Sequence, residues 1–182
     1  MPINRTKTGI AGLDKALNGG IPEGNLVLVS GGAGTGKSTL CVQFLVNGCA
    51  MGERGLYVST EQSEPELKKL AASFSWDLDA LMRKNLLRIL FYDITDNDNF
   101  LKRLDIAIQE FKPKRVVIDS MTTLTDAMIL GGITEHDAFS MVQIAESVSP
   151  IPRTEQIISK QILYQLLISL RKYNATTLLT SE

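Results

Sequence analysis

Several residue types that often carry chemistry are scarce in this chain. It has two cysteines, one histidine and one tryptophan among 182 residues. Cys41 and Cys49 lie on one predicted helix at a separation of about 12 Å, which is too far for a disulfide. Neither cysteine has metal-ligand neighbours in the sequence, so we expect two buried free thiols. His136 stands in a polar stretch, and we assign it no role.

The chain also lacks an excess of charge and a long apolar run. Its net charge of -1 gives no electrostatic reason to expect a nucleic-acid or membrane surface. No apolar run could span a bilayer, and the N-terminus has no signal-peptide core, so we expect a cytoplasmic protein. Hydrophobic residues make up 44% and charged residues 21%, as in ordinary globular proteins. We therefore expect residues 1–182 to form one domain.

A glycine-rich turn is the strongest motif. It follows an apolar run, residues 26–29, which is typical of a buried strand, and it has the spacing G-x-x-x-x-G-K-[ST]. Glycines bring backbone N–H groups against phosphate oxygens, Lys37 can neutralise the β- and γ-phosphates, and the Ser38 hydroxyl can hold Mg²⁺. A tight packing turn is the alternative, but the full-length motif before a helical pattern favours nucleotide binding. The predicted site is Gly31, Gly32, Ala33, Gly34, Thr35, Gly36, Lys37, Ser38 and Thr39.

Strands and helices alternate through the rest of the chain. Ser63 and Glu66 form a capping box at the start of one helix, whose apolar face is predicted to be Leu67, Leu70, Ala71 and Phe74. An apolar stripe marks another helix over residues 101–111. The alternation predicts crossover units in an α/β fold with a mostly parallel sheet. The predicted later strands are residues 55–60, 86–92, 115–118 and 175–180.

Asp119 follows the buried strand that begins at Arg115. A carboxylate at the carboxyl end of such a strand lies on the ligand-binding edge of a parallel sheet. Asp119 is therefore expected at the Walker B position, where it binds Mg²⁺ directly or through water. The alternative is that Asp119 caps the next helix. The P-loop in the same chain favours the first interpretation.

The segment from Met121 to Ser149 has only partial periodicity and is interrupted by Gly131 and Gly132. It is either a connecting loop or a mobile insertion that contacts a partner, and we favour the second because long irregular connections are often functional. Beyond a joint at Pro150 and Pro152, an amphipathic helix is predicted. Its stripe is Ile158, Ile162, Leu163, Leu166, Leu167 and Leu170.

Five stretches together resemble a KaiC-like ATPase of the RecA superfamily, in its KaiC and RadA branch. Before the P-loop, residues 8–24 read T-G-I-x-x-L-D-x-x-L-x-G-G-I-P-x-G. The later stretches are Y-V-S-T-E, F-S-W-D-L, R-V-V-I-D-S and A-T-T-L-L-T-S-E. The resemblance covers nearly the whole chain, is weakest over residues 127–155, and implies a three-layer RecA-like core.

The resemblance also implies roles for single residues. In that family the glutamate that ends the second strand polarises the water attacking the γ-phosphate, a role that falls on Glu61. Many KaiC-type chains carry two adjacent acids there, whereas this chain has Gln62 after Glu61. Ser181 and Glu182 match the place where the family senses the γ-phosphate. ATP as the nucleotide is inferred from the family alone.

The function implied is Mg²⁺-dependent ATP hydrolysis by a self-associating protein, hexamer-like or filament-like as in the family. One alternative is a DNA-binding recombinase, which the near-neutral charge and the absence of a basic, aromatic loop disfavour. Another is an ATP-binding regulatory module with little turnover. Autokinase activity of the KaiC kind is a further implication, although the sequence singles out no acceptor.

The chain stops at Glu182, on the strand that senses the γ-phosphate. RecA-like proteins normally continue with further strands and with basic residues that reach a neighbouring subunit's ATP. The resemblance therefore implies that residues 1–182 lack the usual C-terminal strands. We expect them to bind Mg-ATP, to hydrolyse it slowly, and to associate through the open side of the sheet.

Overall fold

The structure, a computed structural model, describes residues 3–93, 100–125 and 163–182. Helical residues 121–125 and 163–171 adjoin the undescribed part of the chain. The strands are β1 (Arg5–Thr6), β2 (Ile21–Pro22), β3 (Leu26–Ser30), β4 (Gly55–Ser59), β5 (Leu87–Phe91), β6 (Arg115–Asp119) and β7 (Thr176–Ser181); the helices are α1 (Leu13–Ala16), α2 (Lys37–Ala50), α3 (Glu64–Ala72), α4 (Leu78–Arg83) and α5 (Phe100–Phe111).

A five-stranded sheet forms the middle layer, in the order β3-β7-β6-β4-β5. Every neighbouring pair in it is parallel. Parallel strands need crossover connections, and the helices between these strands supply them. The α/β prediction and the parallel sheet are confirmed. All five strands consequently present their carboxyl ends at one edge, where the candidate site lies.

Helices cover both faces of this sheet, so the predicted three layers are confirmed. One apolar core lies between the sheet and helices α2, α3 and α4. A second core, on the opposite face, joins α5 to residues 121–125 and 163–171. β4 and β6 are buried along their whole length, as expected of central strands in a doubly covered sheet.

The prediction that residues 26–29 form a buried strand was half wrong. They do form β3, but Leu28 is 61% exposed. The physical reason is the position of β3 at the edge of the sheet. Among the described residues β3 pairs only with β7, so its other side is left open. An apolar run identifies a strand but does not distinguish a central strand from an edge strand.

Helix α3 begins as predicted. The Glu66 carboxylate accepts hydrogen bonds from the Ser63 backbone N–H and hydroxyl, at 2.8 and 2.7 Å. Leu67 is buried in the core, but Phe74, predicted on the same face, is 48% exposed and stacks on Trp76. The helix ends at Ala72, so Phe74 lies beyond it and helical periodicity does not determine which way its side chain points.

A buried arginine joins the P-loop helix α2 to β6. Arg115 is 1% exposed and donates from Nε to Glu53 at 2.5 Å and from Nη1 to the Phe44 carbonyl at 2.8 Å. Its guanidinium also lies over the Phe44 ring. Gly48 packs directly against it: a Cβ at that position would lie 2.3 Å from Arg115 Nε. Glycine is therefore required there by close packing.

The lead-in to the P-loop contains a small antiparallel pair, β1 with β2, that the sequence did not predict. The Asp14 carboxylate accepts hydrogen bonds from the backbone and hydroxyl of Thr8 and from the Gly9 N–H. Burial raises the pKa of Asp14, but these hydrogen bonds outweigh it and hold the pKa below its usual value. Asn47 on α2 donates to the Thr8 carbonyl at 3.0 Å, which ties the lead-in to the P-loop helix.

The apolar stripe on the last predicted helix is confirmed only in part, because Leu163, the first described residue of that helix, is 36% exposed. Leu166 and Leu170 are buried against the sheet. In the described part of the chain no helix is long and apolar enough to cross a membrane. Several predictions lie outside the described residues: the insertion within 126–155, the Gly131–Gly132 break, the proline joint, Ile158 and Ile162.

Candidate nucleotide-binding site

The P-loop leaves the carboxyl end of β3 and leads into α2. Gly34 and Gly36 have φ angles of 74° and 92°, which L-residues with side chains rarely adopt. The Thr35 hydroxyl donates to the Gly32 carbonyl at 2.8 Å and closes the turn. The Gly31 N–H donates to the Ser181 carbonyl at 3.2 Å, so the loop is anchored to β7.

Lys37 lies back over the loop. Its Nζ donates to the carbonyls of Gly31 and Gly32, at 2.6 and 3.0 Å, and lies 3.7 Å from a Glu182 carboxylate oxygen. Its side chain is only 12% exposed. These partners are all hydrogen-bond acceptors. The ammonium group therefore lies where the oxygens of an anion bound above the loop could replace them.

The other predicted loop residues surround this lysine. Ser38 and Thr39 lie in the first turn of α2 and are half-buried. The N-terminus of a helix of this length attracts anions through its free N–H groups. The residues exposed to solvent along the loop are Gly32, Ala33, Gly34, Thr35 and Gly36.

Asp119 ends β6 and is 2% exposed. Its Oδ2 accepts a hydrogen bond from the Tyr57 hydroxyl at 2.6 Å, and its Oδ1 accepts one from Thr180 Oγ1. Burial and the adjacent Asp119 carboxylate raise the pKa of Tyr57 well above its usual value, so the phenol stays protonated and remains a donor. Both oxygens of Asp119 are thus bonded within the protein.

Glu61 comes two residues after the end of β4. Its Oε1 accepts hydrogen bonds from Ser120 Oγ at 2.6 Å and from Thr123 Oγ1 at 2.7 Å. Since Ser120 directly follows Asp119, Glu61 and Asp119 lie on the same edge of the sheet. Gln62, the next residue, has a buried side-chain oxygen with no hydrogen-bond partner among the described residues.

Ser181 and Glu182 close the site on the β7 side. Ser181 Oγ lies 3.4 Å from Thr122 Oγ1, and the Glu182 N–H donates to the same hydroxyl at 3.2 Å. Thr122 belongs to helical residues 121–125, which also carry Thr123. A continuous series of contacts therefore runs from the P-loop through Ser181 and Thr122 to the region of Glu61.

The site includes hydroxyl residues that sequence reasoning missed. Three of them, Tyr57, Thr180 and Ser120, were interpreted from the sequence only as parts of strands or of a family motif. The other two, Thr122 and Thr123, lie in the segment that has only partial helical periodicity. The sequence gives only part of the signal for Tyr57. Side chains alternate along a strand, and the register pairs Tyr57 with Val117, two residues before Asp119. Tyr57 and Asp119 therefore face the same side of the sheet.

The donor chemistry fits magnesium better than a softer metal. The oxygens of Ser38 and Asp119 suit a hard cation that keeps most of its water and also binds substrate phosphates. Among the described residues no group of three or more His, Cys, Asp or Glu side chains could hold a metal. Cys41 and Cys49 are buried free thiols, as predicted, and burial raises the pKa of Cys49 to about 11.

Comparison with known proteins identifies relatives of this chain. Residues 6–134 match the family model described as "ATPase: KaiC". A UPF0273 protein of Pyrococcus furiosus is 41% identical over 139 residues, covering 67% of this chain and 56% of that protein. The circadian clock oscillator protein KaiC of Prochlorococcus marinus is 31% identical, covering 100% of this chain and 33% of that protein.

A solved structure extends the likeness to the fold. The crystal structure of a KaiC-like protein from the archaeon Pyrococcus horikoshii has a TM-score of 0.77 and 31% identity, covering 100% of this chain and 71% of that one. The chain spans about half the length of the UPF0273 relatives it matches. On the family match and this RecA-like fold, the chain belongs to the KaiC ATPase family.

Proposed function

We propose that this chain binds ATP with Mg²⁺ at the carboxyl edge of its sheet, hydrolyses it slowly, and works as an oligomer. One observation carries the proposal. The P-loop, Asp119 and Glu61 come from three different parts of the sequence and lie at one edge of the sheet, connected through Ser181, Thr122 and Ser120. Family membership supports ATP as the nucleotide.

Phosphate binding falls to the P-loop and its lysine. Lys37 would exchange the carbonyls of Gly31 and Gly32 for the oxygens of the β- and γ-phosphates. The first N–H groups of α2 and the loop N–H groups would hold the same phosphates. Glu182 lies beside Lys37, so its carboxylate would be near the terminal phosphate and would separate from the ammonium as the phosphate enters.

The magnesium ion, when bound, neutralises charge that develops on the phosphates during transfer. Ser38 would hold the ion directly through its hydroxyl. Asp119 would act on the ion directly or through water, because each of its oxygens accepts one hydrogen bond, from Tyr57 or Thr180, and keeps a second lone pair. A carboxylate in this position still favours a cation nearby through its charge.

Glu61 is the proposed base. Ser120 and Thr123 both donate to its Oε1 and fix the orientation of the carboxylate. We propose that Oε2 orients a water and accepts its proton as the water attacks the γ-phosphate. Ser181 would donate to the γ-phosphate from the end of β7. The slow rate follows if the cation that stabilises the transition state comes from a neighbouring subunit, since such a group is worth about 10³–10⁵ in rate.

Calorimetric titration with a non-hydrolysable ATP analogue and Mg²⁺ tests the binding site. Lys37→Ala should weaken binding at least about tenfold, since a charge-assisted hydrogen bond is worth roughly 1.5–3 kcal/mol. Lys69→Ala, which removes an exposed lysine on α3, should bind as the parent does. Unchanged affinity in Lys37→Ala would contradict the assignment of the loop.

Turnover measurements separate the proposal from its rivals. The parent should hydrolyse ATP well below one turnover per second, with or without single-stranded DNA. Strong stimulation by DNA would favour a recombinase-related protein. Binding without measurable turnover, even at high protein concentration, would favour a regulatory module. Equal rates of hydrolysis for GTP and ATP would contradict the assignment of ATP as the specific nucleotide.

A further inference from the structure

Tyr57 occupies an unusual place for a tyrosine, in the centre of β4 and 2% exposed. Its hydroxyl donates to Asp119 Oδ2 at 2.6 Å. The Ser38 hydroxyl is a second polar neighbour of the phenol. The tyrosine hydroxyl thus has the two candidate magnesium residues, one from α2 and one from β6, as its neighbours.

Packing alone does not require this hydroxyl. The ring lies in the apolar core between the sheet and α2, where phenylalanine would fill the same volume. A buried hydroxyl needs a partner, and here that partner is the carboxylate expected to act on the metal. Thr180 holds the other oxygen, so the two donors together fix the carboxylate on both sides.

We propose that Tyr57 is a positioning residue for the metal: it fixes the Asp119 carboxylate beside Ser38 and thereby sets how strongly magnesium increases the affinity for nucleotide. The proposal rests on the proposed function, because it concerns the same nucleotide site. Residues that orient a metal ligand commonly contribute about 10–100-fold to metal affinity. Loss of the hydroxyl should therefore weaken the effect of magnesium while leaving phosphate binding by the P-loop unchanged.

The test measures the affinity for a non-hydrolysable ATP analogue with Mg²⁺ and again in EDTA. The magnesium effect is the dissociation constant in EDTA divided by the dissociation constant with Mg²⁺. In Tyr57→Phe this ratio should fall about tenfold or more, with the EDTA value unchanged. Tyr173→Phe is the matched control: it also removes a hydroxyl that donates to a carboxylate, Asp105, but on the periphery of the sheet away from the P-loop. Its ratio should equal that of the parent.

A parent-like ratio in Tyr57→Phe would overturn the inference and leave the proposed function intact. No nucleotide binding by the parent would instead overturn the proposed function, and this inference with it. If Tyr57→Phe does not fold, Thr180→Val takes its place, because it removes the other donor to the Asp119 carboxylate and keeps the shape of the side chain. Its ratio should also fall with the EDTA value unchanged, and a parent-like ratio would overturn the inference that these donors fix the carboxylate for the metal.

Discussion

Glu61 makes its two hydrogen bonds to hydroxyls from another part of the chain, Ser120 and Thr123. Such bonds restrict the carboxylate to one orientation without neutralising its charge. A residue held in this way can orient a water molecule at little entropic cost, because its own rotamer is already fixed. The proposed chemistry of the site therefore depends on hydroxyl groups as well as on Glu61 and Asp119.

Glu61→Gln should lower ATP turnover by about 10² or more, the usual cost of losing a general base. Affinity for Mg-ATP should stay close to that of the parent, because the amide has nearly the same shape. The measurement is steady-state phosphate release at matched protein concentration. Glu64→Gln changes a partly exposed acid on α3 that pairs with Lys68; it is the control and should keep the parent rate. Equal turnover in Glu61→Gln and the parent would place the base elsewhere.

The sequence predicted part of this site and missed the rest for a physical reason. Lys37 and Ser38 belong to a motif whose spacing is fixed by phosphate and metal chemistry, and Asp119 was predicted from its place after a buried strand. Tyr57 and Thr180 belong to strands, where tyrosine and threonine are common for their shape alone. Only the register between strands brings their hydroxyls to Asp119, and register is not visible in one sequence.

Helix α2 is the element that joins the P-loop to the rest of the molecule. Its first turn carries Lys37 and Ser38, and its later turns pack on Arg115 of β6 through Phe44 and Gly48. The contact at Gly48 has almost no free space. The strand that ends in Asp119 is therefore fixed to the helix that begins at the P-loop.

Gly48→Ala should destabilise the protein by about 1–3 kcal/mol, the usual cost of overpacking a core. In an open helix the same change stabilises by roughly 0.5–1 kcal/mol. Here the new Cβ would lie 2.3 Å from Arg115 Nε, and Arg115 cannot move without losing its bonds to Glu53 and the Phe44 carbonyl. Urea unfolding measures the change.

Ala50→Gly provides the control for that prediction. Ala50 is an exposed position in the last turn of α2, where a glycine should cost only about 0.5–1 kcal/mol through backbone entropy. A Gly48→Ala variant more stable than the parent would show that Arg115 can move at little cost.

Elements were predicted well where local signals exist. The capping box placed the start of α3, and alternation of strands with helices gave the parallel sheet. The pair β1–β2 was missed because two-residue strands carry no periodicity. Phe74 was misplaced because the end of α3 has no glycine or proline to mark it.

At the scale of the whole molecule, the described part of the sheet ends in two edge strands, β3 and β5, and β3 carries the more exposed apolar side chain of the two. Leu28 projects there from an edge strand that, in the described part of the chain, has a neighbour on one side only. An exposed apolar edge strand is a template for pairing with another chain. The order of strands that creates this edge could not be read from the residues, since periodicity gives strands but not their neighbours.

Residues 1–182 should self-associate through this edge, and Leu28→Lys should reduce that association, because a lysine on an edge strand opposes pairing. Size-exclusion chromatography with light scattering, over a range of protein concentrations, measures the effect. Ile106→Lys, on an exposed position of α5, is the control and should associate as the parent does. A parent that stays monomeric at all concentrations would contradict the prediction.

The place of β7 also governs when the molecule can be assembled during its synthesis. β7 lies between β3 and β6, and its register pairs Leu26 with Thr177 across most of the chain. On the ribosome, β3, which leads into the P-loop, is synthesised early. Its neighbour β7 is among the last of the described residues to emerge, so β3 stays unpaired with it until then. Loop closure over such a distance is slow. The nascent protein should therefore acquire its candidate nucleotide site only at the end of this stretch, when the Ser181 carbonyl reaches the Gly31 N–H.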